Sequence, residues 1–336
     1  MKLSTTFIGL GIGAIVLTGC GGGSDALEAT GKITQQEAVE VAHVTIFTGL
    51  DPVELLSEDT KDTASKNLKG VYLPNEDGEY ECPGGGSYTY KKISGVNPSF
   101  NEDESGNEVH SSTFIFEINY NKCDEYHTGV TVTGTKKGTW KWEEKEDETS
   151  YSYTNNWEST MDGVVYEGPE GKFTTSTYTA SGTNKKTSNA HGSSWSSTSQ
   201  YVRSGTLVVD GNETYEFKNI TRDREEKRSY NSEDDSSTYE RTWKISGLLK
   251  SDDSDGWIAI ETPETLVKNQ DDMIDEYGTL CPHAGELTVS GAEHTLSVEY
   301  DANHSVTLEY DGEVIKRFAN CIEFEEYDPE DNESTK

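Results

Sequence analysis

Residues 113–120 read TFIFEINY, and this stretch decides the fold class. Phe114, Phe116, Ile118 and Tyr120 occupy alternate positions, so an extended chain puts them on one face and Thr113, Ile115, Glu117 and Asn119 on the other. The same alternation runs through Leu296, Val298 and Tyr300, and again through Val306, Leu308 and Tyr310. Asp301-Ala302-Asn303 lies between those two runs, and Asp210-Gly211-Asn212 lies between Leu207-Val208-Val209 and Tyr215-Glu216-Phe217. Turn-forming residues between alternating runs predict antiparallel hairpins. From about residue 71 no helical periodicity survives, and the expected fold is mainly β, an antiparallel meander.

A repeat underlies the pattern. A glycine followed by a short strand-like run recurs at Gly86, Gly129, Gly163, Gly205, Gly247 and Gly285, at intervals of about 40 residues, which suggests stacked hairpin modules. Cys82-Pro83-Gly84-Gly85-Gly86 matches Cys281-Pro282-His283-Ala284-Gly285, each opening a module. Cys123 and Cys321 follow these openings at a similar interval. Four cysteines allow three pairings, and the module argument selects Cys82 with Cys123 and Cys281 with Cys321. None of the four has the close spacing of a zinc site.

The N-terminal part differs. Thr34-Gln35-Gln36-Glu37 has the form of a capping box ahead of Ala38, Val39, Val41, Ala42, Val44 and Ile46, which predicts a helix over residues 34–48. Asp51-Pro52-Val53-Glu54 repeats the start signal and predicts a short second helix before Gly70. Ahead of both, Phe7 to Leu17 is an uncharged apolar run too short to span a bilayer. It ends in Leu17-Thr18-Gly19-Cys20, which resembles the lipobox of bacterial lipoproteins. The resemblance implies that residues 1–19 are a signal peptide and that Cys20 is the lipidated first residue of the mature chain. Gly21, where an Asp would signal inner-membrane retention in such lipoproteins, implies the outer membrane, with residues 20–32 as a Gly-rich tether. The layout is also similar to uncharacterised Gram-negative lipoproteins with Cys-Pro-Gly-rich modules, a family that brings no activity with it. The expected organisation is therefore signal peptide 1–19, tether 20–32, helical segment 33–70, β-repeat domain 71–322 and an acidic, disordered tail 323–336.

The formal charge of −34 excludes a cationic nucleic-acid binder at the level of whole-chain composition. Apolar residues make up about 36% once Gly is counted in place of Tyr, against roughly 45–50% for globular chains, so one face of the sheet is expected to be buried incompletely. No nucleophile elbow, zinc-binding helix motif or phosphate-binding glycine loop is present, and among 62 acids a carboxylate pair carries no information without geometry. Scattered histidines, with His294 and His304 expected near one another on the last hairpin, do not make a metal site. The acidic turns at residues 101–106 and 253–256 are incomplete as calcium loops. We expect no enzyme, cofactor or metal. The Ser/Thr-rich stretch 174–206 is read as solvated strands with a loose loop, or as a surface for glycans.

Tyr151, Tyr153 and Trp157 share one face of a candidate strand, and Trp140 and Trp142 repeat the arrangement on the strand before. A hairpin between them would join both sets into an aromatic face suited to sugar rings or to a protein partner. The expected function is a non-enzymatic envelope protein, held to the outer membrane by its lipid, with a structural role or binding an envelope protein or polysaccharide. The alternative is a polysaccharide hydrolase. Because the acyl group on Cys20 would be the only hydrophobic anchor after processing, Cys20→Ser is expected to abolish membrane retention. Fractionation checks this: a Cys20→Ser protein that still pellets with membranes after a high-salt wash removes the lipoprotein reading.

Overall fold

The computed structural model describes residues 28–48, 76–102, 108–125, 127–146, 149–169, 171–189, 193–209, 213–231, 236–252, 254–269, 282–325 and 327. The expected signal peptide, Cys20, the expected second helix, Cys281 and the chain after Tyr327 lie outside the described residues.

Strands follow one another almost without interruption. They are β1 (Gly78–Glu81), β2 (Ser87–Glu102), β3 (Glu108–Cys123), β4 (Thr131–Glu146), β5 (Ser150–Met161), β6 (Val165–Gly168), β7 (Gly171–Asn189) and β8 (Ser194–Val209). There follow β9 (Glu213–Asn231), β10 (Ser236–Ser251), β11 (Ile258–Asn269), β12 (Ala284–Ser290), β13 (Thr295–Tyr300), β14 (Val306–Tyr310) and β15 (Glu313–Phe318). All belong to one antiparallel 15-stranded sheet in sequence order, except that the short β6 pairs with β4 and β7 beside the longer β5. The path runs from β1 at one edge to β15 at the other, an open meander.

Two helices cover its C-terminal end: α1 (Gln35–Thr48) and the five-residue α2 (Cys321–Glu325). The capping box forms as read: Thr34 N–H donates to Glu37 Oε2 at 2.6 Å, and Glu37 N–H donates to Thr34 Oγ1 at 3.3 Å. The apolar stripe of α1, with Ala38, Val39, Ala42 and Ile46 all buried, packs on β12 and β13. The expected tail boundary at residue 323 needs correction. Glu323 and Glu325 belong to α2 because Phe324 between them is fully buried and packs at a tilt against Phe318, so burial of one ring holds the acidic turn in place.

The core occupies only part of the sheet. On β3, Phe116, Ile118 and Tyr120 are buried while Ile115 is 43% exposed, as the alternation requires. Burial is concentrated near one end of the long strands, around Ile118, Met161, Tyr178, Leu207 and Ile220, and continues under α1 as Leu287, Val298 and Leu308. The other ends of β3–β5 and β7–β10 extend beyond most of this core. A strand of 19 residues, as in β7, reaches about 60 Å.

Cys82 and Cys123 are disulfide-bonded as the modules imply, with Cα atoms 5.4 Å apart. Cys321 is also in a disulfide; its expected partner, Cys281, is outside the described residues.

The glycine repeat marks every second strand. Gly86, Gly129 and Gly163 precede β2, β4 and β6, but Gly205, Gly247 and Gly285 lie inside β8, β10 and β12, which corrects the expectation that each opens a strand. All six have positive φ, between 66° and 151°. The reason is clearest at Gly205 and Gly247, where the ladder slips register. A Cβ there would lie 2.4 Å from Tyr178 Cα and 2.7 Å from Ile220 Cα, and beside these neighbours Thr177 and Asn219 take φ of 48° and 52°. Each glycine lets two backbones approach at a bulge, which is how a long sheet is made to bend. Gly247→Val is expected to destabilise by about 2 kcal/mol or more through strain and backbone overlap, whereas Gly163→Asn, at an open left-handed turn, changes little. Denaturant melts of the two variants check this contrast.

Candidate functional site

Call inner the face of the sheet that carries the core. Cross-strand register places Phe114, Trp140, Trp157, Gly182, Tyr201 and Arg222 in one row of that face across six strands. Gly182 has a side-chain reason to be glycine: a Cβ would meet the Trp157 indole at 2.8 Å. Without one, Trp157 reaches Tyr201, with ring centroids 6.1 Å apart, and the Lys136 ammonium lies 6.0 Å from the Trp157 ring.

The next row toward the strand ends is polar: Ser112, Trp142, Asn155, Asn184, Ser199 and Arg224, continuing to Trp243. Asn155 and Trp243 are buried, yet Asn155 Oδ1, Arg224 Nε and Trp243 Nε1 have no protein partner. Buried polar atoms of this kind normally find an acceptor or donor, so their concentration in one row is informative.

Beyond it comes a charged row that includes Glu144, Tyr153, Lys186, Ser197, Glu226 and Arg241. Glu226 Oε1 accepts from Arg224, from Arg241 Nε at 2.7 Å and from the Tyr239 hydroxyl at 2.7 Å. Burial pushes its pKa upward, but the two guanidinium charges and the donated hydrogen bonds outweigh that, holding the carboxyl below its ordinary range. The outermost row carries Tyr151, Trp195, Arg228 and Tyr239. Tyr151 is pushed up to about 12, first by burial and then by the Glu144 carboxylate.

The structure thus brings all five aromatic residues read from the sequence onto one face, with Trp140 directly opposite Trp157 in the ladder. They divide in two. Trp140 and Trp157 pack partly against the core, whereas Trp142, Tyr151 and Tyr153 are half-buried outside that cluster.

No family model matches the chain, and no curated protein or solved structure matches it.

Sequence reading missed the arginines. The chain has six, and Arg203, Arg222, Arg224, Arg228 and Arg241 all fall on the inner face of β8–β10. The signal was available in the even spacing of Arg222, Arg224 and Arg228, which one strand face would collect. The reverse side of β7–β10 carries Thr183, Thr198, Gln200, Asp223 and Lys244, an exposed polar surface. The Ser/Thr-rich stretch is therefore largely regular ladder in β7 and β8. An open depression of about 950 Å³ is lined largely by Ser and Thr of β7–β10, with Trp195, Arg228 and Tyr239 at its side.

His294 and His304 do not face each other. His294 meets Asp311 at 2.6 Å and stacks on Tyr310, while the His304 ring lies 6.4 Å from His283, because the intervening loop turns His304 into left-handed backbone. Among the described residues no group of three or more His, Cys, Asp or Glu side chains is placed to hold a metal ion. The turn at residues 254–256 docks the N-terminal chain: Ser254 bonds Ser251 and Gly256, and Thr30 clasps Trp257, fixing the chain ahead of α1 onto the β10–β11 connection.

With its folded pKa depressed, Glu226 contributes stability above the unfolded carboxyl value and loses it as pH falls through the folded value. Glu226→Gln is expected to cost about 1–3 kcal/mol at pH 7 by leaving Arg224 and Arg241 uncompensated. The deficit should shrink as pH falls below the ordinary carboxylate range toward the depressed folded value. Urea melts at pH 7 and pH 3.5 measure both.

Proposed function

We propose that this chain is a non-enzymatic binding protein of the bacterial envelope, lipidated at Cys20 and held at the outer membrane, whose inner sheet face binds envelope polysaccharide. The observation that carries the binding reading is the row Phe114, Trp140, Trp157 and Tyr201, half-buried side chains in register across the middle of the sheet. Flat aromatic rings of this kind match the apolar faces of sugars and lose little conformational freedom on binding. The row beside it supplies amide and hydroxyl groups, Asn155, Asn184 and Ser199, suited to sugar hydroxyls.

The lipid anchor rests on Leu17-Thr18-Gly19-Cys20 and on the short apolar run ahead of it. Among the described residues no helix is long and apolar enough to cross a membrane. Gly21 favours the outer membrane, and a glycine-rich tether would let the sheet stand away from the lipid surface.

Tryptophan emission tests the binding face. Titrating the protein with envelope polysaccharide should shift its emission, and Trp157→Phe and Trp140→Phe should each reduce that shift while changing thermal stability by under about 1.5 kcal/mol. Unchanged emission in the native protein and in Trp140→Phe, Trp142→Phe and Trp157→Phe variants would overturn the reading.

A further inference from the structure

We infer that the ligand of the inner face is an acidic glycan, bound through carboxylate groups by the arginines of β8–β10. This rests on the polysaccharide reading above and adds the charge of the ligand.

The first observation is the distribution of charge. In a chain of formal charge −34, five of six arginines converge on one face of three neighbouring strands. Across the stretches 194–203, 220–231 and 236–245, Glu226 is the one carboxylate on that face among the described residues. The acids of the same segment, Asp223, Glu225 and Glu240, occupy the opposite face. A random placement would have mixed them. Lys186 extends the cationic area from β7 and lies 5.6 Å from the Trp195 ring.

The second observation is independent of charge. Arg224 and Trp243 are directly paired across β9 and β10, and both Arg224 Nε and Trp243 Nε1 are buried donors with no acceptor in the protein. Trp243 is 4% exposed. Neighbouring donors without an acceptor suit a single anionic oxygen. Glu226 meanwhile fixes Arg224 and Arg241 in place, so much of their side-chain entropy is already lost before a ligand arrives.

The third is the company these groups keep. Tyr201 and Trp195 alternate with Ser197 and Ser199 on the same face of β8, giving ring platforms and hydroxyls between the guanidinium groups. A planar carboxylate fits the guanidinium fork, and a pyranose ring fits an indole or phenol face. A long nucleic acid would have to approach the strongly acidic remainder of the chain, and a flat bilayer would have to reach a face that also carries the half-buried row of Trp140 and Trp157.

The test uses the full-length protein in neutral detergent, with polygalacturonate oligomers as the acidic probe and a neutral glucan of equal length as the control. Calorimetry should show binding of polygalacturonate alone, weakened about tenfold or more by Arg228→Gln and by 0.5 M salt. Arg228 is exposed and stands outside the Glu226 cluster, so this variant is expected to keep the native melting curve. Equal binding of both glycans, unaffected by Arg228→Gln, overturns the acidic-ligand inference and leaves the polysaccharide reading standing. Binding of neither glycan overturns both. Preferential binding of phosphatidylglycerol vesicles or of oligothymidylate overturns the inference in favour of a lipid or a nucleic acid.

Discussion

Lateral hydrogen bonding between neighbouring strands is the interaction on which the rest of this protein depends. Fifteen strands in one antiparallel sheet satisfy their backbone groups sideways, so a strand as long as β7 or β9 stays formed where, among the described residues, no second layer lies on it. That solves the problem set by a low apolar content. A chain short of hydrophobic residues concentrates them near one end of the long strands and under α1, and lets hydrogen-bonded ladder carry the remainder.

A sheet of this length has to twist and bend. The glycines at positive φ provide the bends, and they do so in two ways along the chain. Some stand in turns, as at Gly163 and Gly312; others sit inside strands, as at Gly95, Gly134, Gly205 and Gly247, the last two opposite Thr177 and Asn219 in left-handed backbone. The Cys82–Cys123 disulfide ties down the first module, whose edge strand β1 has only four residues. At the other end α1, α2 and the Tyr310 hydroxyl bond to the Ile33 carbonyl close over the last hairpins.

Bending and period-two alternation together sort the chemistry. One face collects the core, then an aromatic row, then buried amides and indoles, then arginines around Glu226; the other collects threonines, lysines and exposed acids. A net acidic protein thereby acquires a locally cationic, aromatic surface. Such a surface matters for recognition because guanidinium groups and flat rings are held at fixed spacing by the ladder itself.

Alternation in TFIFEINY and in the last hairpins, the capping box at Thr34–Glu37, the glycine interval and the matched Cys-Pro openings were enough to settle strand class, helix α1, the two-strand period and the first disulfide, since each is a local signal with a local physical cause. Same-strand parity also placed Tyr151 with Tyr153 and Trp157, and Trp140 with Trp142. Only the tertiary structure decided that Trp140 stands opposite Trp157, that Gly182 clears the way from Trp157 to Tyr201, and that arginines on three strands converge. The difference is register: which residue faces which across a ladder depends on bulges at positions such as Arg203/Gly205 and Ser246/Leu248, and one slip moves every side chain beyond it to the other face.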